Sequence, residues 1–287
     1  MIPSYLCSRA GIAGCGRLAA LVLTLTGRGS DQQLTAACDL LAELGVDPGK
    51  DLAALDREGL AAQASAPVFQ VAALLRGEGQ LWASQSDESL RAQGRASAQA
   101  AAAFAQLLLP QLTGLSEALS RPGVRMLDVG TGVAAMAVAY AERYPMLTVV
   151  GIDVLPRVLK LAAETVAASS AADRVVLREQ NVAVLNEANT YALGWLPAPF
   201  IPKTALHPGA TRVARSLAPG GWLILAHGKL SGTPLEVALT RFKTAAYGGT
   251  PLTDAEARSL LLEAGLQDVM TVPTPPGAPG ITIGRRA

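Results

Sequence analysis

Between Val124 and Tyr144 the chain reads as a short apolar strand, VRMLDVG, a loop carrying Gly130 and Gly132, and an apolar-periodic helix, VAAMAVAYAERY. A strand that passes straight into a helix through a tight glycine loop opens a parallel sheet with helices packed on its faces. The glycines have a physical purpose beyond the turn. Backbone must approach a ligand closely at such a loop, and a Cβ would obstruct it.

The rest of the chain repeats the alternation. LTVVGID predicts a second strand, PRVLKLAAETVAAS a helix, RVVLREQNV a third strand and YALGWL a fourth. HPGATRVARSLAPGG reads as a helix ending at a Gly turn, GWLILAH as a fifth strand, and about Thr253 to Ala264 as the last helix. A strand near Val269, a Pro/Gly turn and ITIGRR follow, and two strands joined that closely must be antiparallel. The expected class is therefore α/β, a Rossmann-like and mostly parallel sheet ending in an antiparallel hairpin.

Upstream, from about Leu18 to Leu119, the pattern is helical throughout. Ser30-Asp31 caps a run ending at Gly45, further helices span about Asp51 to Ala62 and Pro67 to Leu75, and an Ala-rich helix is closed by Pro110. Residues 1–119 are thus expected to form an all-helical N-terminal domain and residues 120–287 the sheet domain, the character changing at Arg121-Pro122-Gly123.

Gly130-Thr131-Gly132-Val133-Ala134-Ala135 by itself admits two ligands. Asp153 ends the second strand about 20 residues on, where a carboxylate accepts both hydroxyls of a ribose. G-x-G-x-x-A also satisfies the dinucleotide fingerprint, so an NAD(P)-dependent oxidoreductase is admissible. Three features weigh against it. Asp128 would repel a pyrophosphate but suits a ligand with ammonium and sulfonium groups. The closing hairpin replaces the parallel strand of a dinucleotide fold, and LAPGGWLIL supplies a helix end, a Gly turn and a buried strand at the right distance.

LDVGTG, GIDV, LAPGGWLIL and the hairpin, in that order from about Val124 to the C-terminus, resemble the motifs of class I S-adenosylmethionine-dependent methyltransferases. The resemblance implies S-adenosylmethionine as cofactor and S-adenosylhomocysteine as product. It implies that Asp128, Gly130, Thr131 and Gly132 line the methionine end, that Asp153 holds the ribose, and that Val154 packs on the adenine. The family's acid after the third strand is replaced by Gln180-Asn181-Val182; Asn181 offers an amide oxygen to the adenine amino group instead, with Val182 beside it. Ala134 stands for the usual third glycine, a change expected to matter little. The N-terminal region loosely resembles the front of small-molecule O-methyltransferases, whose helices dimerise and cover the active site, although no wing strands are found. That implies a homodimer through those helices. Gln85, Arg91, Gln93 and Arg95 either reach the ligands from there or form a solvated helix face.

Methyl transfer needs an acceptor atom held in line with the methyl carbon, and often a base. His227, just after the fifth strand at the carboxyl edge of the sheet, is the expected catalytic base; otherwise it is a loop histidine facing solvent. His207, beside Pro208, reads as a helix-cap residue. Trp195 and Phe200 flank a proline-stiffened loop and are the expected substrate-binding residues; their alternative is packing beneath the next helix. Acids near the fourth strand are missing, so no metal site is expected. With no unmistakable base, a non-catalytic S-adenosylmethionine-binding regulator is a further reading.

Half of the residues are hydrophobic and the formal net charge is +1, which fits a helix-rich globular protein and gives no footprint for nucleic acid. Cys7, Cys15 and Cys38 have neither disulfide nor zinc spacing. No apolar run reaches the length of a membrane span, and the Leu18–Thr26 stretch lacks the flanks of a signal peptide. The expected setting is cytoplasmic, the partner a small, partly apolar methyl acceptor methylated on oxygen, with nitrogen or carbon as the alternatives, and with no nucleic acid and no membrane.

Overall fold

A computed structural model of the chain describes residues 23, 24, 27, 29–47, 49, 50, 82–274 and 278–287. The helices expected over Asp51–Ala62 and Pro67–Leu75, and Cys7 and Cys15, lie outside them. The described residues fall into two compact units, one within residues 1–72 and the other within 73–287.

In the first unit, helix α1 (Asp31–Glu43) starts with a capping box: Ser30 accepts from the Gln33 amide, and the Gln33 side chain accepts from the Ser30 amide. Ala37 and Leu41 are its buried positions, one turn apart.

The second unit begins, in the described residues, with helix α2 (Asp87–Leu107), capped by Ser86. The sequence boundary at residues 119/120 put this helix in the N-terminal domain; the structure puts it with the sheet. Two features explain the difference. Gly94 lets the helix lie against the glycine loop, since a Cβ there would fall 2.2 Å from Val133 Cγ2. Arg91–Glu164 and Arg157–Asp87 ion pairs also tie it to α5 (Pro156–Ala167), although such exposed pairs add little stability.

After the short α3 (Leu115–Leu119) come β1 (Arg125–Val129), α4 (Ala135–Arg143), β2 (Thr148–Asp153), α5, β3 (Val175–Glu179), β4 (Tyr191–Pro197), α6 (Lys203–Ser216) and β5 (Leu217–His227). Helices α7 (Pro234–Ala246) and α8 (Asp254–Glu263) precede β6 (Gln267–Val272) and β7 (Gly280–Arg285). The sheet order is β3-β2-β1-β4-β5-β7-β6, parallel except for β7, which runs antiparallel between β5 and β6. The expected fold class is thereby found.

Side chains alternate across this sheet and both faces are covered, which is why its strands read as unbroken apolar runs. Met126, Val149, Leu193 and Ile224 pack with α2, α3 and α4. Leu127, Val150, Leu196 and Leu223 pack on the other side with α6 and α8. Helix α6 starts a turn before the expected His207, which is an exposed residue inside it rather than a cap, and Pro208 is carried in the helix interior. Helix α7 has no counterpart in the sequence reading. Among the described residues no helix is long and apolar enough to cross a membrane, and no group of three or more His, Cys, Asp or Glu is placed to hold a metal ion.

Candidate functional site

The glycine loop is built at the carboxyl end of β1 by three left-handed residues, Gly130 (φ 64°), Gly132 (φ 56°) and Ala134 (φ 61°). The alanine is therefore not a neutral replacement: an L-residue in this region carries about 1 kcal/mol of strain.

The loop's amides are turned inward. Thr131 N–H donates to the Ile152 carbonyl (3.0 Å), Gly132 N–H to Asp153 Oδ2 (3.0 Å), and Ala134 N–H to the Thr131 carbonyl (2.9 Å). A pyrophosphate site needs such amides free to face the anion. The carboxylate of Asp153 also accepts from Leu155 N–H at Oδ1 (3.1 Å), so each of its oxygens is fixed by one backbone donor. Each oxygen keeps accepting capacity for a ligand hydroxyl. Burial raises the Asp153 pKa, while its backbone hydrogen bonds pull the other way.

Asp128, two residues before Gly130, is 2% exposed and accepts from the Thr131 hydroxyl at 2.7 Å. Burial pushes its carboxyl up to about 7. A buried acid without a cationic partner is costly to ionise, and a ligand cation would remove that cost.

Two cavities meet at this loop. The first, about 390 Å³, is lined by Gly130–Gly132, Asp153, Val154, Asn181 and Val182, and is closed by Leu90, Gln93 and Gly94 of α2. Val154 is 54% exposed, an apolar side chain left open on the cavity wall. Asn181 is not idle: its Oδ1 accepts from Ala183 N–H (2.9 Å) and caps the turn Val182–Val184, which leaves its second lone pair and its NH2 for a ligand.

The second cavity, about 750 Å³, is lined by Asp128, Trp195, Phe200 and His227, together with Phe104, Tyr247 and others. Gln93, Ser97, Gly130, Thr131, Met136, Phe200 and Tyr247 line both cavities and form their shared boundary. Trp195 sits beside Asp128 in the β1–β4 register and is tilted against Phe104 at 5.3 Å. Phe200 lies 4.8 Å from Tyr247 and 5.2 Å from Trp82. The two expected substrate residues thus reach one chamber, but each belongs to its own aromatic pair or cluster. Gly249 makes this packing feasible, because a Cβ there would overlap the Pro199 carbonyl at 1.8 Å.

His227 lines the second cavity, yet it is completely buried and both ring nitrogens are engaged: Nε2 with Thr282 Oγ1 at 3.0 Å, Nδ1 with the Gly228 carbonyl at 3.2 Å. The carbonyl can only accept, so Nδ1 carries the proton and Nε2 accepts from the threonine. Burial lowers its pKa and holds the ring neutral. Of the polar residues singled out on the helix leading in, Gln93 lines both cavities, Arg91 is paired away with Glu164, and Arg95 is exposed. Gln85 is buried, with no partner for its Oε1.

Sequence reading did not find Phe104, Met136, Tyr247, Lys229, Lys243 or Gly94. Only Gly94 had a visible signal, a lone glycine inside an Ala-rich helix.

A β3-β2-β1-β4-β5-β7-β6 sheet, with one acid at the end of β2 and another, rather than an anion cradle, beside the glycines, has the layout of a methyltransferase fold. The comparisons agree. Residues 126–221 match the family described as a methyltransferase domain. Among solved structures the chain resembles PigF with SAH (17% identity, TM-score 0.67, covering 99% of this chain and 98% of that one). It also resembles human N-acetylserotonin methyltransferase in complex with SAM (17%, 0.57, 83% and 69%) and an O-methyltransferase family protein from Burkholderia thailandensis (19%, 0.55, 79% and 72%). At these identities the structural likenesses establish the fold. Direct sequence comparison with curated proteins finds no match. Residues 126–221 thus form a methyltransferase domain, and the fold around them is that of S-adenosylmethionine-dependent methyltransferases.

Proposed function

We propose that this enzyme methylates a small, partly apolar molecule, with oxygen as the acceptor atom. The carrying observation is the pair of cavities that share a boundary at the glycine loop, one lined by that loop, Asp153 and Val154 and the other walled by aromatic rings. The oxygen assignment is supported by the O-methyltransferase family protein among the structural relatives.

The residues fit the cofactor: a backbone-fixed carboxylate for ribose hydroxyls, an open valine for a flat ring, and an uncompensated buried acid for a cation. When bound, S-adenosylmethionine supplies an electrophilic methyl group on a positively charged sulfur. In our reading Asp153 holds the ribose, Val154, Asn181 and Val182 hold the adenine, and Asp128, Gly130, Thr131 and Gly132 hold the methionine end. Trp195 and Phe200 orient the acceptor and keep water from it. His227, expected as the base, would first have to give up Thr282; with Nε2 already accepting, we assign it to the chamber wall and attribute the rate to alignment and desolvation. The homodimer through the N-terminal helices and the cytoplasmic setting belong to the same reading, the former checked by light scattering.

Calorimetry with S-adenosylhomocysteine tests the core of it. The product should bind the wild type, and Asp153→Ala should weaken it by about 1.5–3 kcal/mol, the scale of hydrogen bonds to a charged group. Folded protein that ignores the compound would overturn the proposal.

A further inference from the structure

The second cavity has an uneven charge distribution that the methyl-transfer reading does not use. One wall is aromatic. The lining also carries Lys229, in the loop that follows β5, and Lys243, an exposed residue on α7 one turn before Tyr247. Lys229 is half-buried and its Nζ donates to the Thr274 carbonyl at 3.2 Å, which fixes the ammonium while leaving it two further protons to donate. Neither lysine has a carboxylate partner among the described residues. Among the described residues the only acid lining the chamber is Asp128, beside the glycine loop.

We propose that Lys229 and Lys243 select an acceptor bearing a carboxylate, so that the substrate is an aromatic or similarly flat acid whose ring lies against Trp195 and Phe200. This inference rests on the methyl-transfer reading and specifies its substrate class. The chemistry on the page favours a carboxylate over a phosphate ester. The chamber is otherwise largely apolar, and among the described residues its lining offers two single-point ammonium donors with no arginine fork. A neutral acceptor would leave both ammonium groups without a counter-charge beside a cavity that also receives a cationic sulfur. An anionic one balances them.

The test is a calorimetric comparison of 3-hydroxy-2-naphthoate with 3-hydroxy-2-naphthamide, a neutral ligand of nearly the same shape, on full-length protein saturated with S-adenosylhomocysteine. The acid should bind about tenfold more tightly than the amide, as two partly solvated charge contacts allow. Lys229→Gln/Lys243→Gln should bring the two within about threefold, and Lys243→Glu should favour the amide; both substitutions are at partly exposed side chains outside the nucleoside cavity, and the product's own binding reports that the variants fold. Equal binding of acid and amide to the wild type, or no binding of either while the product binds, would overturn the carboxylate assignment alone. Loss of product binding in the wild type would instead overturn the methyl-transfer reading beneath it.

Discussion

At pH 8 an ionised Asp128 lies buried beneath the glycine loop with one hydroxyl donor, Thr131, to stabilise it. Its folded-state pKa, about 7, lies above the unfolded value of 3.8. Between those values the folded protein holds a proton that the unfolded chain has lost, so this group's contribution to stability falls as pH rises from about 4 through 7 and then levels off. At 1.36 kcal/mol per unit the full effect is on the order of 4 kcal/mol. Asp128→Asn should therefore raise the melting temperature of the ligand-free protein above pH 7 and flatten its pH dependence, while weakening S-adenosylhomocysteine. Scanning calorimetry at pH 5 and pH 8 checks the first part. A variant destabilised at both pH values would contradict it. Of this site the sequence showed the acid and its distance from Gly130. That burial would make it a near-neutral carboxyl depends on α2 and α4 covering the sheet, which no local pattern records.

Among the elements, α2 is the one whose placement matters most to the site, because it forms a wall of both cavities. In an isolated helix Gly94→Ala would gain about 1 kcal/mol of propensity. Here the added methyl would meet Val133 Cγ2 at 2.2 Å, so the variant should instead lose about 1–3 kcal/mol and bind S-adenosylhomocysteine more weakly as the loop shifts. Val133→Ala introduced alongside should restore much of both losses, measured by denaturant unfolding and calorimetry; losses that simply add would mean the contact is not the cause.

The hairpin β6–β7 controls the other wall. A hydrogen-bond chain runs from Arg258 Nη1 to Thr271 (3.2 Å), on to Thr282 (3.3 Å) and then to His227 Nε2 (3.0 Å). Gly280 leaves room for the ring, since a Cβ there would lie 2.4 Å from His227 Cε1. Nitrogen-detected NMR should find His227 as the neutral Nδ1-protonated tautomer at pH 7. Because its pKa is lowered in the fold, stability is lost as pH falls through about 6.5 toward the folded value. An imidazolium at pH 7 would restore His227 as a candidate acid–base group.

For the molecule as a whole, ligand linkage separates the two nucleoside readings. A ligand that binds only the native state at a hundredfold excess over its dissociation constant stabilises by about 2.7 kcal/mol. That corresponds to a rise of roughly 5–10 °C in melting temperature for a cooperative unit of 150–250 residues. S-adenosylhomocysteine should produce such a rise, and NADH none, because the Thr131, Gly132 and Ala134 amides are already bonded within the protein. The reverse pattern would return the chain to the dinucleotide class.

The sequence by itself determined the sheet and its handover to a hairpin, because strand, glycine loop and helix are written in local periodicity and in the few residues that tolerate left-handed backbone. It also determined Asp128, Gly130, Gly132 and Asp153, whose places follow from their distance along β1 and β2. Only the tertiary structure decided that α2 belongs to the sheet unit, that α7 lines the second chamber, and that His227 spends both nitrogens on the fold. Each of these depends on contacts between residues far apart in the chain, such as Gly94 with Val133 and His227 with Thr282, and pairings of that kind leave no periodic trace in one sequence.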